Sequence, residues 1–93
     1  MASEFDTRRY VVTGRVQGVG FRYFVQRKAL ELGVRGWVRN RPDGSVEAVA
    51  GGGPEAMREF ELALRKGPPL SRVDHVADQP APAFEGEGFR ITV

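Results

Sequence analysis

The apolar residues of this chain change their spacing around residues 14–22, and this change constrains the fold more than any other feature. Before it, apolar and polar residues alternate, which predicts a β-strand over residues 7–16. After it, apolar residues recur every three or four positions, which predicts a helix over residues 22–32 that ends at Gly33. The segment between them reads Gly-Arg-Val-Gln-Gly-Val-Gly-Phe-Arg. A glycine-rich turn from strand to helix aims backbone N–H groups and the positive helix end at one place, which predicts an anion site.

The rest of the chain repeats this succession of strand and helix patterns. A turn is predicted at Arg41-Pro42-Asp43-Gly44 from its composition, so residues 34–50 are predicted to form a hairpin. Gly51, Gly52 and Gly53 are expected to break its second strand, and Gly67 with the two prolines after it ends the second helix. The further predicted elements are strands over residues 34–40 and 46–50, a helix over residues 54–65, a strand over residues 72–78 and a short terminal strand over residues 89–93.

The order of these elements is βαββαβ followed by a short edge strand. It predicts an α+β fold, the ferredoxin-like split βαβ sandwich, with two helices on one face of an antiparallel sheet. We expect one domain over residues 1–93, because no segment has the composition of a linker. The first strand runs toward the 17–22 turn, the helix runs back, and the second strand runs forward again. Asn40, at the end of that strand, is therefore expected at the same end of the sheet as the turn.

Composition removes several kinds of site. The chain has no cysteine and one histidine, His75, so disulfides, thiolate nucleophiles and multi-histidine metal sites are excluded. No metal site is predicted from the scattered acids. The net charge of +2 is low for a dedicated nucleic-acid binder. No apolar run approaches the roughly 18 residues of a membrane helix, and the start lacks a secretory signal, so we expect a cytoplasmic protein.

Each candidate site residue also has a plain structural explanation. The glycines of the 17–22 turn could simply make room for a tight connection. Arg22 could be a solvated helix residue, the usual position of an arginine. Against this, a cation in the first helical turn is misplaced against the helix dipole unless an anion lies nearby. Asn40 also suits a turn, and His75 is expected to be structural because its strand is remote from the turn. Trp37 could belong to the core or to the wall of a site, and the core is favoured.

Two long segments resemble the signatures of the acylphosphatases. Residues 12–22 are similar to the first signature and residues 36–46 to the second, with the glycines at 51–53 following in the family's order and spacing. The resemblance extends from about residue 8 to residue 93 without departure at either motif. It implies a small, monomeric, ferredoxin-like enzyme, free of metal and cofactor, which hydrolyses acyl phosphates to a carboxylate and inorganic phosphate. The resemblance places the phosphate-binding arginine on Arg22 and the water-orienting asparagine on Asn40.

The sparse catalytic groups agree with this substrate. An acyl phosphate releases a carboxylate, whose conjugate acid has a pKa of about 4, so it needs no general acid at neutral pH. We expect Arg22 and Asn40 to be catalytic and the turn to bind the phosphoryl group. The expected phosphate-binding residues are Gln17, Gly18, Val19, Gly20, Phe21 and Arg22.

Two alternatives stay open at this point. RNA-binding domains share the βαββαβ order, but their inner strand carries aromatic residues that stack on bases, and the third strand here, Ser-Val-Glu-Ala-Val-Ala, has none. The chain could also be a non-catalytic binding module of a larger enzyme, although its end in a strand at Val93 favours a free-standing protein. The expected partner is a small acyl phosphate, with neither nucleic acid nor membrane bound.

Overall fold

The computed structural model describes residues 5–93 and contains the predicted elements in the predicted order. In chain order the elements are β1 (Asp6–Arg15), α1 (Phe21–Leu32), β2 (Arg35–Asn40), β3 (Val46–Gly52), α2 (Pro54–Lys66), β4 (Arg72–Pro80) and β5 (Phe89–Ile91). This confirms the ferredoxin-like arrangement of two helices on a sheet.

The five strands form one sheet in the order β4-β1-β3-β2-β5. Every pair is antiparallel except β2 and β5, which are parallel, so the sheet is mixed at one edge rather than antiparallel throughout. The cause is the path of the chain. Because β4 ends where β2 begins, the segment after it crosses to the far edge at that end, and β5 then runs in the direction of β2.

Strand β3 continues through two glycines that were predicted to end it. Gly51 is opposite Thr7 on one side and Arg35 on the other, and Gly52 is opposite Asp6. Pairing with β1 and β2 holds this segment extended and outweighs the low strand propensity of glycine. A Cβ atom on Gly51 would lie 2.9 Å from Thr7 Oγ1, so the small residue also permits the close approach of β1.

Both helices cover the same face of the sheet and enclose the core. Helix α1 packs on β2 and β5, and α2 packs on β1, β3 and β4. The fully enclosed side chains include Tyr10, Val12, Val16, Phe21, Val25, Val34, Val38, Val46, Phe60 and Leu64. No helix among residues 5–93 is long and apolar enough to cross a membrane.

Trp37 lies outside this core. Successive strand residues point to opposite faces, and Val38 is the residue of that pair buried beneath the helices. Trp37 is half-buried on the helix-free face, beside Arg39, whose guanidinium carbon is 5.4 Å from its ring centroid. The expectation that Trp37 belongs to the core is therefore wrong, because the strand register places it on the other face.

Candidate active site

The segment between β1 and α1 is shaped by two glycines with left-handed backbone conformations. Gly18 has φ 73° and Gly20 has φ 78°. A Cβ atom on either would meet no atom of residues 5–93 within 4 Å, so the backbone rotation, rather than a lack of space, requires glycine there. Gly20 is also the N-cap of α1, and its carbonyl accepts the first helical hydrogen bond, from Phe24 N–H at 3.1 Å.

The N-terminus of α1 presents unpaired donors. No side chain of residues 5–93 caps this end, and no acid lies in its first turn. Within the described part of the chain, the backbone N–H groups of residues 18–22 donate to no other group. Such an end attracts an anion, because its N–H groups and the helix dipole both favour negative charge. Five of the six predicted phosphate-binding residues, from Gly18 to Arg22, contribute these N–H groups.

Arg22, the second residue of α1, adds a side-chain cation at the same place. It is half-buried and pairs with no carboxylate among residues 5–93. The neighbouring Arg41 differs, since its guanidinium lies 3.9 Å from the Asp43 carboxylate. An unpaired, half-buried guanidinium beside an uncapped helix start forms a strong anion-binding arrangement.

Asn40 is the last residue of β2 and lies on the face that α1 covers. It follows Val38 by two positions, so both side chains point toward the helices. Its Oδ1 atom is buried and accepts no hydrogen bond from any described group. A buried acceptor without a hydrogen-bond donor costs free energy of folding. A native fold therefore retains such an acceptor where a bound molecule donates the hydrogen bond. A water molecule in an occupied site is one such donor.

Gln17 joins the glycine-rich segment to the turn after Asn40. Its Nε2 atom donates to the carbonyl oxygens of Arg41, at 2.7 Å, and Ser45, at 3.0 Å. Both amide hydrogens are thereby engaged, so the Gln17 side chain has no donor left for a phosphate. The sequence-based prediction grouped Gln17 with the phosphate-binding residues and missed this link. The shared end of β1 and β2 places Gln17 near the turn but does not identify the carbonyl groups that it contacts.

The turn between β2 and β3 is fixed by its own side chains. Asp43 Oδ1 accepts a hydrogen bond from Ser45 N–H at 2.9 Å and another from the Ser45 hydroxyl. These bonds lower the pKa of the Asp43 carboxyl below its ordinary value, and the nearby Arg41 adds to the effect. Asp43 thus stabilises the turn that presents the two carbonyl groups to Gln17.

His75 takes no part in this arrangement. It is exposed on β4, an edge strand separated from β2 by β1 and β3. Its carbonyl oxygen accepts a hydrogen bond from the Thr13 hydroxyl at 3.4 Å. The structure therefore places Arg22, Asn40 and the glycine-rich segment at one end of the sheet and His75 at its edge.

The chain is similar to proteins of one family in sequence and in structure. A sequence model of the acylphosphatase family matches residues 8–91. The acylphosphatase of Koribacter versatilis is 51% identical over 92 residues, which cover 98% of this chain and 84% of that protein. The acylphosphatase of Nitratidesulfovibrio vulgaris is 60% identical over 79 residues, covering 85% and 79%.

Solved structures agree with the sequence relatives. The crystal structure of acylphosphatase from Bacillus subtilis has a TM-score of 0.88 and 43% identity, covering 94% of this chain and 98% of that one. The structure of an acylphosphatase from Coxiella burnetii has a TM-score of 0.91 and 35% identity, covering 96% and 94%. These findings favour the enzyme over a non-catalytic phosphate-binding or RNA-binding module. The chain belongs to the acylphosphatase family, the enzymes that hydrolyse acyl phosphates.

Proposed function

We propose that the phosphoryl group of the acyl phosphate binds at the N-terminus of α1, and that Asn40 orients the water that attacks it. The backbone N–H groups of residues 18–22 and the Arg22 guanidinium contact the phosphoryl oxygens. The observation that carries this proposal is the unpaired, half-buried Arg22 at an uncapped helix start, at the sheet end where the buried Asn40 Oδ1 lacks a donor.

In the proposed reaction one water oxygen forms a bond to phosphorus while the bond between phosphorus and the acyl oxygen breaks. The products are a carboxylate and inorganic phosphate. Negative charge on the phosphoryl oxygens is stabilised by donors that are already oriented, so little reorganisation accompanies the reaction. The Asn40 amide holds the water in line with the leaving carboxylate, and the phosphate or solvent takes its proton.

Arg22 and Asn40 can be distinguished by two measurements on the same variants. We expect Asn40→Ala to lower kcat for benzoyl phosphate by about 100- to 1,000-fold, a typical loss for one oriented polar group, while inhibition by inorganic phosphate changes little. We expect Arg22→Gln to weaken phosphate inhibition as well as turnover. Arg27→Gln, on the exposed side of the same helix, is the matched control and should keep both properties.

The assigned roles make definite demands on these variants. If Asn40→Ala keeps kcat within a few-fold of the parent, Asn40 does not orient the water. If Arg22→Gln leaves the inhibition constant of phosphate unchanged, Arg22 lies outside the phosphate site.

We propose that the reaction needs neither metal nor cofactor, since Arg22 and the backbone donors supply the positive charge that the transition state needs. The rate of benzoyl phosphate hydrolysis should therefore survive exhaustive dialysis against a chelator. A loss of activity that returns when a divalent cation is added would contradict this.

We propose further that the protein works as a cytoplasmic monomer without a nucleic-acid partner. The monomeric state is supported by the site, whose assigned groups all come from one chain. Light scattering of the purified protein measures its mass directly, and a mass twice that of the chain would contradict the monomer. Titration with short RNA, followed by the electrophoretic mobility of the RNA, tests the absence of nucleic-acid binding.

A further inference from the structure

The helix-free face of the sheet contains a cavity, on the side opposite Asn40. Its volume is about 660 Å³, within the roughly 300–1,000 Å³ usual for small-molecule sites. It lies between the sheet and the segment that precedes β5. The lining residues that matter here are Arg9, Trp37, Arg39, Glu47, Phe84 and Arg90.

The strand register places Trp37 on the floor of this cavity among cations. Trp37 is opposite Val49 on β3 and opposite Arg90 on β5. On β1, Arg9 is opposite the same Val49, so one row of residues crosses the sheet with an arginine at each end. The indole therefore offers a flat apolar surface between two guanidinium groups.

A buried carboxylate orients two of the arginines. Glu47, whose side chain is only 6% exposed, accepts a hydrogen bond from Arg9 Nε at 2.5 Å and one from Arg39 Nε at 2.7 Å. The terminal nitrogens of both guanidinium groups donate to no other group in the described part of the chain. Two guanidinium groups fixed through Nε with their terminal N–H groups unused match the geometry of an incoming carboxylate or phosphate.

Charge and shape on the other side of the cavity agree with an anionic ligand. The side chains of the lining include three arginines and two glutamates, Glu47 and Glu87, so the side chains alone carry one more positive than negative charge. Arg90 forms no ion pair within residues 5–93. The Phe84 ring packs against Gly86, where a Cβ atom would lie 2.7 Å from the ring, and this forms an aromatic wall that faces the cavity.

We propose that this cavity binds a small aromatic anion, a flat ring that bears one carboxylate or one phosphate. The anionic group contacts the terminal N–H groups of Arg9 and Arg39, and the ring packs against Trp37 and Phe84. Cation–π attraction and burial of the ring then act together with the charge-assisted hydrogen bonds. This site is separate from the proposed phosphate site and does not depend on the roles of Arg22 and Asn40.

Trp37 is the chain's one tryptophan, so its fluorescence reports on this cavity directly. The probes are adenosine monophosphate, which is an aromatic phosphate, and benzoate, which is an aromatic carboxylate. Adenosine, which has the aromatic ring without the charge, and inorganic phosphate, which has the charge without the ring, are the controls. We expect at least one aromatic anion to change Trp37 emission saturably, with both single-feature probes binding at least tenfold more weakly. Which aromatic anion binds more tightly identifies the source of the charge.

Variants separate this site from the phosphate site. Calorimetry should show that the dissociation constant of the aromatic anion is at least tenfold higher in Arg39→Gln than in the parent. It should also be higher in Arg90→Gln, a variant expected to fold normally because Arg90 is exposed. Arg22→Gln should bind the aromatic anion as the parent does. Hydrolysis of benzoyl phosphate should continue in both cavity variants. The proposal is overturned if neither aromatic anion changes Trp37 emission saturably below about 1 mM, a weak-binding limit. It is also overturned if Arg22→Gln, rather than Arg39→Gln, abolishes the binding of the aromatic anion.

Discussion

At the scale of single residues, Glu47 shows how a buried charge is retained on a sheet. Burial raises the pKa of its carboxyl, but the hydrogen bonds from Arg9 and Arg39, together with their charges, outweigh burial and hold the pKa below the ordinary 4.5. A carboxyl whose pKa is lower in the folded state stabilises the fold above its unfolded pKa, and this stabilisation is lost as the pH falls through the folded value.

The pH dependence of stability should therefore change in Glu47→Gln. We expect this variant to be less stable than the parent at pH 7, because the two guanidinium groups lose the negative charge that they share and one of its two accepting oxygens becomes an NH2 donor. We expect the difference to shrink as the pH falls below about 4.5. Urea unfolding at several pH values, followed by Trp37 emission, measures both. Glu59→Gln, an exposed position outside every ion pair of the described residues, is the control. A difference that stays constant down to pH 3 would contradict the linkage.

At the scale of elements, the candidate site depends on how the segment before α1 meets the turn after β2. Within residues 5–93, no backbone hydrogen bond joins these two segments, and the Gln17 side-chain amide connects them. The turn keeps its own shape through the hydrogen bonds between Asp43 and Ser45. We expect Gln17 to be a positioning residue, which aligns the donors proposed to bind the phosphoryl group with the Asn40 amide proposed to orient the water.

Two glutamines allow a matched test of this alignment. Gln17 and Gln26 are both half-buried, and each donates to backbone carbonyls; Gln26 Nε2 contacts Phe89 O at 3.0 Å, on the side of α1 that faces β5. We expect Gln17→Ala and Gln26→Ala each to cost about 1–2 kcal/mol of stability. Only Gln17→Ala should lower kcat, by about tenfold or more, because a small displacement of reacting groups is costly. Equal kcat values in the two variants would assign Gln17 a purely structural role.

At the scale of the whole molecule, three aromatic rings connect distant strands through α2. Phe60 lies with its ring centroid 5.8 Å from that of Tyr10 on β1 and 5.8 Å from that of Phe89 on β5. These strands are not neighbours in the sheet, since β3 and β2 lie between them. Phe60 is fully buried, so it ties the edge strand β5 to the centre of the core.

Phe60→Ala should consequently cost about 3–5 kcal/mol, a large part of the roughly 5–15 kcal/mol that stabilises a domain of this kind. Leu62→Ala on the same helix, at a position 57% exposed, should change stability by less than about 0.5 kcal/mol. Urea denaturation of the two variants gives both values. A loss below 1 kcal/mol at Phe60 would mean that the core closes around the missing ring.

Local signals made much of this molecule predictable. Strand alternation, helical spacing and glycine stops are read over a few residues, so the elements and the order of their connections could be expected from the sequence. The position of Arg22 in the first helical turn and the end of β2 at Asn40 follow from the same local patterns and the direction of the strands. The assignment of these residues to catalysis remains a prediction.

Other features depend on pairing between distant residues. Gln17 contacts carbonyl oxygens, which every residue has, so nothing in the sequence of residues 41–45 identifies them as its partners. Trp37 lies on the helix-free face because of the strand register, although a large apolar indole side chain is equally suited to a core. Gly51 remains in β3 because strands on both sides pair with it.

The sheet order also has a consequence for how the chain acquires its structure. Four elements lie between β1 and β4 in the chain, yet β4 is the outer neighbour of β1, with Arg8 opposite Pro80, so that edge stays unpaired until β4 has been synthesised. Folds rich in such long-range pairings close large loops before they gain contacts, and this slows their folding to milliseconds or longer. The segment before α1 and the turn after β2 meet only once β1, β3 and β2 lie side by side. Enzymatic activity should therefore appear only after these three strands have paired.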